Sequence, residues 1–230
     1  MNDNKKITTL EVRESILNNN DELAERNRKS LRENKVFLVN IMGSPGAGKT
    51  TLLEKTIESL KGAYRVGVIE ADVDSAVDAQ RLSACGVKVL QLHSGGLCHL
   101  DAKMAGEGIE TLIAQTPETH FDVVFIENIG NLVCPAEFDI GEALKVMLLS
   151  VSEGDDKPLK YPLMFEVSNC LLVTKTDAAE VFDFDEAALK SRVRKLNPDI
   201  ELIRLSALNG DGIERWTDYL KKQIEEWRAG

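Results

Sequence analysis

Cys98 and His99 stand side by side in the segment SGGLCHLDAKM, in a chain that has only four cysteines and three histidines. A further thiol, Cys134, lies 36 residues on, in ENIGNLVCP. Cysteine thiolates and an imidazole suit Zn2+ or Ni2+, tetrahedral geometry pointing to the first and square-planar geometry to the second. Three protein ligands would leave a coordination position open. Spacing alone does not decide the matter, because an isolated cysteine is as readily a small buried hydrophobe. Cys85 on a helix, Cys170 within a strand and His120 just before a strand fit that plainer reading, while His93, in the loop leading to Cys98, is undecided.

A second chemistry is written in GSPGAGKTT, Gly43 to Thr51, which reads G-x-x-x-x-G-K-T between an expected strand and an expected helix. Gly43, Ser44, Pro45, Gly46, Ala47 and Gly48 form a turn whose backbone N–H groups can converge on phosphate oxygens. Lys49 is placed to reach the terminal phosphates and the Thr50 hydroxyl to ligate Mg2+, with Thr51 following. Such a loop needs carboxylates near the metal. Glu70, Asp72 and Glu127 each stand at an expected strand end, and Glu127 closes FDVVFIEN, where the acidic second motif of P-loop enzymes lies. Asp74 and Asp78 are weaker candidates, since helix starts also favour acids. The base site is read from TKTD. It is close to N-K-x-D, in which the aspartate, here Asp177, accepts from guanine N1–H and the 2-amino group while the stem of Lys175 lies against the ring. Adenine offers neither donor. Thr174 departs from the motif's asparagine. Ser206 and Ala207 in LSALNGDGI resemble the S-A-x loop that touches the base.

The elements that must position these residues are legible in the hydrophobic pattern. From Val36 onward, the apolar runs VFLVNIM, YRVGVIE, VKVLQL, FDVVFIE, KVMLLSV, CLLVTK and IELIRL are interleaved with helix-like stretches over 49–60, 75–84, 99–115, 185–195 and 212–228. Several runs are continuously apolar, as strands buried on both faces of a parallel sheet require. The expected fold is therefore α/β, a doubly wound, mostly parallel sheet of P-loop NTPase type, with ligands at the carboxyl ends of the strands. If 99–115 is a helix, its N-terminus would favour the Cys98 thiolate. Residues 1–35 read as an N-terminal arm and 36–230 as the P-loop domain. In the arm, Leu10, Leu17, Ala24 and Leu31 recur every seven residues, beside Ile16 and Leu23. Arg13, Asn20 and Asn27 are polar where a coiled coil needs apolar positions, which argues for packing against the main domain.

The chain has 230 residues, 43% of them hydrophobic, and a formal charge of −10. That balance argues against a nucleic-acid backbone as the main partner. No apolar run reaches roughly 18 residues and the N-terminus lacks a basic-then-apolar signal pattern, so a cytoplasmic protein with no membrane contact is expected.

Taken together, GSPGAGKTTLL, SGGLCHLDA, FIENIGNLVCPAEFDIGE and SEGDDKPLKYPLMF, in this order and with these gaps, resemble the hydrogenase nickel-incorporation GTPases, the HypB family of the SIMIBI class. The resemblance runs from about Leu10 to Leu220 and is carried most specifically by ENIGNLVCP and DKPLKYP. It implies a slow GTPase and nickel metallochaperone whose nucleotide state controls dimerisation and metal transfer to nickel–iron hydrogenase, working with HypA. By motif it assigns Cys98, His99 and Cys134 to Ni2+ or Zn2+. Lys49, Thr50, Asp72 and Glu127 fall to the phosphates and Mg2+, and Lys175 and Asp177 to guanine. No cysteine motif or histidine-rich stretch precedes the P-loop in this sequence, so a second nickel site is not expected. Competing readings are a urease accessory GTPase, disfavoured by ENIGNLVCPAEFDIGE, a small-molecule kinase, disfavoured by TKTD, and a nucleotide-gated interaction protein with structural cysteines.

Overall fold

The structure, a computed structural model, describes residues 9–72, 77–118 and 120–230, with side chains from residue 17 onward. Asp74 and the side chains of Leu10, Arg13 and Ile16 lie outside the described residues. The chain opens with α1 (Thr9–Glu33), β1 (Phe37–Gly43), α2 (Lys49–Leu60) and β2 (Val66–Asp72). It continues through α3 (Val77–Ala84), β3 (Lys88–His93), α4 (Ala102–Ala114), β4 (Val123–Glu127) and the short α5 (Cys134–Glu137). β5 (Leu144–Ser150), α6 (Lys157–Lys160), α7 (Pro162–Val167), β6 (Cys170–Thr174), α8 (Glu186–Leu196), β7 (Glu201–Arg204) and α9 (Ile213–Ala229) complete it. The strands form a seven-stranded sheet in the order β3-β2-β4-β1-β5-β6-β7, and every neighbouring pair is parallel. All carboxyl ends therefore share one edge.

Burial explains the continuously apolar strands. β1 sends Phe37, Val39 and Ile41 to the face covered by α2 and α9, and Leu38 to the face covered by α1 and α4. Beyond it, Met147, Leu149 and Leu171 pack against α7 and α8. α9 buries Ile213, Trp216, Leu220 and Ile224, one stripe of a 3.6-residue period. Each such side chain contributes about 1.5–3 kcal/mol by leaving water. β3 lies at the sheet edge and is only partly covered.

The helix expected over 99–115 begins instead at Ala102. Asp101 is its N-cap, in an extended conformation with its carboxylate accepting from the Met104 N–H. Aspartate caps where Cys98 and His99 cannot, so these two residues sit in the loop ahead of the helix and its first-turn donor is already taken.

One buried polar contact ties α9 to α2. The Trp216 indole Nε1–H donates to Thr56 Oγ1 at 2.8 Å, both side chains having no exposure. Thr56→Val keeps the volume but leaves the indole N–H unpaired, and is expected to destabilise the fold by about 1–3 kcal/mol. A lower urea midpoint at unchanged denaturant slope is the expected observation, and wild-type stability would contradict it.

Candidate functional site

β1 ends at Gly43, where a Cβ would lie 2.8 Å from the Leu148 carbonyl oxygen and φ is +150°, so glycine is required as the chain turns into the loop. α2 starts directly at Lys49 with Gly48 in the left-handed region before it. The Lys49 ammonium is buried and donates to the carbonyls of Gly43 and Ser44, both at 3.2 Å. Burial pulls its pKa below the ordinary lysine value, against the pull of Glu127. A cleft of about 560 Å³ opens above the loop. Its walls include Pro45, Gly46, Gly48, Thr50, Thr51, Asp72 and Glu127.

The carboxylates expected at strand ends meet in this cleft. β2 and β4 run side by side with Glu70 opposite Glu127. Thr50 Oγ1 donates to Glu127 Oε1 at 2.7 Å, while Glu127 Oε2 and Glu70 Oε2 are buried with no hydrogen-bond partner. Burial pushes the Glu127 pKa up to about 7. Burial, reinforced by Glu127 and Asp72, pushes that of Glu70 to about 8. Two orphaned buried carboxylate oxygens beside a hydroxyl are a donor set of the hard oxygen type that a divalent cation such as Mg2+ takes.

A second pocket, of about 400 Å³, shares Gly48, Thr51 and Lys175 with the cleft and is lined also by Ala47, Asp177, Ser206 and Ala207. Ser206 Oγ donates to Asp177 Oδ1, fixing the carboxylate. Lys175 Nζ donates to the Gly46 carbonyl at 2.7 Å. The Thr174 hydroxyl donates to the Ala47 carbonyl at 2.7 Å and is buried, so the residue that departs from N-K-x-D ties β6 to the P-loop.

Cys98, His99 and Cys134 converge with their ligand atoms all within 4.8 Å of one another. Cys98 Sγ donates to Cys134 Sγ at 3.2 Å and lies 3.9 Å from His99 Nδ1. That shared hydrogen bond, with burial, raises the Cys134 pKa, while burial lowers that of His99, in the direction of the neutral, metal-binding imidazole. The His99 ring stacks on Phe138 with centroids 4.1 Å apart. Cys134 is the first residue of α5. His93 and His120 are exposed and stand outside this group, and Cys170 is buried with its thiol pKa pushed up by burial.

The thiol site and the cleft share a wall. A Cβ on Gly130 would lie 2.7 Å from Pro45 Cγ, Asn131 forms an antiparallel bridge to Gly43, and Asn131 Nδ2 donates to the Cys98 carbonyl at 3.2 Å. Behind them runs a buried polar chain. Asn128, next to Glu127, donates to Asn40 at 3.1 Å, and Asn40 donates to Glu142 at 3.0 Å. Glu142 also accepts from the Ile140 N–H at 2.9 Å, and burial raises its pKa.

Residues 37–204 match the family described as CobW/HypB/UreG, nucleotide-binding domain. The hydrogenase maturation factor HypB of Azotobacter vinelandii is 45% identical over 214 residues, which are 93% of this chain and 69% of that protein. The chain belongs to the HypB family. Two HypB crystal structures agree with its fold. That of Helicobacter pylori HypB in complex with nickel has a TM-score of 0.86 at 35% identity, covering 90% of this chain and 96% of that one. That of HypB from Archaeoglobus fulgidus has a TM-score of 0.82 at 37% identity, covering 90% and 98%. Among the described residues no helix is long and apolar enough to cross a membrane.

For this HypB family member, sequence reading missed the polar supports: Asn40, Asn128, Asn131 and Glu142 carry no motif signal beyond polarity inside or beside apolar runs. It also missed Arg81, which lines the cleft and bonds Glu54 and Asp78 while reaching Thr51 Oγ1 at 3.3 Å.

The raised carboxyl pKa values carry a sign. An unfolded chain releases these protons near pH 4.5, whereas the folded one holds them to about pH 7 and 8, so in that window the unfolded state binds fewer protons. Folding stability contributed by the pair is thus lost as pH rises between those values. Glu70→Gln is expected to stabilise the nucleotide- and Mg2+-free protein more at about pH 8 than at about pH 5, read as urea midpoints. An equal effect at both would contradict this.

Proposed function

We propose that the protein is a GTP-hydrolysing nickel metallochaperone that assists nickel insertion into nickel–iron hydrogenase, its Ni2+ or Zn2+ cargo held by Cys98, His99 and Cys134. The observation that carries the reading is the convergence of these three residues on loops that touch the P-loop. The nickel complex of the Helicobacter pylori relative supports it.

In this reading the turn from Gly43 to Gly48 wraps the phosphates and Lys49 leaves its carbonyl partners for the β- and γ-phosphates. Thr50, Asp72 and Glu127 would hold Mg2+, which would offset negative charge on the phosphate oxygens; water attacks the terminal phosphorus and displaces GDP, releasing phosphate. Asp177, held by Ser206, accepts from guanine, with Ala207 at the base edge and the Lys175 stem along the ring. A phosphate seated in the turn from Gly43 to Gly48 would shift Pro45 and, through its contact with Gly130, the chain that carries Cys134, coupling nucleotide state to metal affinity. Cys98 is exposed between exposed Leu97 and Val133. Two chains meeting there would complete the coordination, giving a homodimer favoured by GTP and metal. A HypA-type nickel chaperone and the machinery maturing the hydrogenase large subunit are the partners this function requires.

Ni2+ affinity measured without nucleotide, with GDP and with a non-hydrolysable GTP analogue is expected to differ between the nucleotide states and to fall in Cys98→Ser. Equal affinity with both nucleotides defeats the coupling. Unchanged affinity in Cys98→Ser favours the rival reading, a nucleotide-gated interaction protein with structural cysteines. At the base site, Asp177→Ala is expected to weaken GTP by about tenfold or more through two lost hydrogen bonds, with little effect on weakly bound ATP. Competition binding decides it, and an equal loss for both nucleotides would count against guanine.

A further inference from the structure

Asn20 and Asn27 stand two turns apart on one face of α1, about 10 Å along its axis. Both reach the same two segments. Asn20 Oδ1 accepts from the Ala102 N–H and its Nδ2 donates to the Asp139 carbonyl, each at 2.8 Å. Asn27 Nδ2 donates to the Ala102 carbonyl at 2.7 Å and to the Ile140 carbonyl at 3.1 Å. Arg28 adds an ion pair to Asp139 at 2.8 Å.

The two segments carry opposite halves of the thiol site. Ala102 follows His99 by three residues, and Asp139 follows directly on Phe138, whose ring stacks on His99. Cys134 lies five residues before Asp139. Helix and loop meet without slack. A Cβ on Gly141 would lie 2.6 Å from the Ala24 carbonyl oxygen, and one on Gly106 would lie 2.6 Å from Asn27 Oδ1. A helix that needed only to dock would present apolar side chains here. Asn20 is buried and Asn27 half-buried, and amides so placed are costly unless paired and favour a single register when paired.

We infer that α1 is a positioning clamp for the metal site, with Asn20 and Asn27 setting the separation of Cys98 and His99 from Cys134. The inference rests on the reading of these three residues as metal ligands. Asn20 and Asn27 touch no metal themselves. They act through Ala102, Asp139 and Ile140, as the outer supports of metal ligands generally do.

The test titrates Ni2+ alone into the full chain, with a chelator in competition, and records the thiolate-to-nickel absorption band. Asn27→Leu and Asn20→Leu are expected to weaken Ni2+ binding by about 10–100-fold and to alter the band. GDP affinity, measured on the same samples, reports an intact fold. If Asn27→Leu loses it, Asn20→Leu carries the test. Leu31→Ala, which loosens the packing of the same helix without touching either amide, is expected to leave Ni2+ affinity within about twofold. Unchanged Ni2+ affinity and an unchanged band in the asparagine variants, with Cys98→Ser impaired, overturn the clamp alone. So does a loss in Leu31→Ala equal to that in Asn27→Leu. If Cys98→Ser binds Ni2+ like wild type, the ligand assignment fails, and the clamp with it.

Discussion

The contact between Pro45 and Gly130 is the constraint from which the rest of the site follows. Adjacent parallel strands lie under 5 Å apart, and the loops leaving β1 and β4 must pass each other within that gap. With a proline on one side, only glycine fits on the other, since a Cβ on Gly130 would meet Pro45 N at 2.8 Å as well as its ring. The glycine-rich loop after β1 and the loop that carries Cys134 are therefore one packed unit. Asn131 closes it by bridging to Gly43 and holding the Cys98 carbonyl. A change in the conformation of either loop cannot be absorbed between them, because neither has free volume to take it up.

The acids of the cleft show the complementary constraint, an electrostatic one. Glu70 and Glu127 are almost wholly removed from water and face each other across β2 and β4. Lys49 is the nearest buried cation and lowers both pKa values, yet burial outweighs it and both remain above the ordinary carboxylate range. The cleft thus holds two buried carboxyl groups whose charge the chain's own cations do not compensate. A divalent cation would relieve that imbalance, which is otherwise a cost in folding stability.

On the far side of the sheet, polarity does a different task. Asn40 occupies a fully buried place in the central strand, where a β-branched residue would pack better, and is held by Asn128 and Glu142. Glu142 in turn fixes Ile140, which α1 grips through Asn27. The polar chain therefore runs from the residue after Glu127 to the arm. Every member named is paired, and a paired polar network in a low-dielectric interior specifies one arrangement of its backbone.

Local chemistry determined much of this protein before any folding. The P-loop, the acids at strand ends and the β/α alternation follow from glycine, lysine and apolar periodicity, properties that act over a few residues, and the helix over 49–60 is found at Lys49–Leu60. Where a helix starts within a few residues is set by competition among caps, and Asp101 moved the expected start away from Cys98 and His99. Only the tertiary structure decided the rest. Cys134 reaches Cys98 because β4 is inserted between β1 and β2, an order that sequence spacing does not encode. Asn20 and Asn27 interrupt the heptad seam and so pointed to packing against the main domain, but the sequence did not say which groups they bind. Their worth depends on backbone groups at Ala102, Asp139 and Ile140, which lie 75 to 119 residues away and meet the arm only when the sheet has formed.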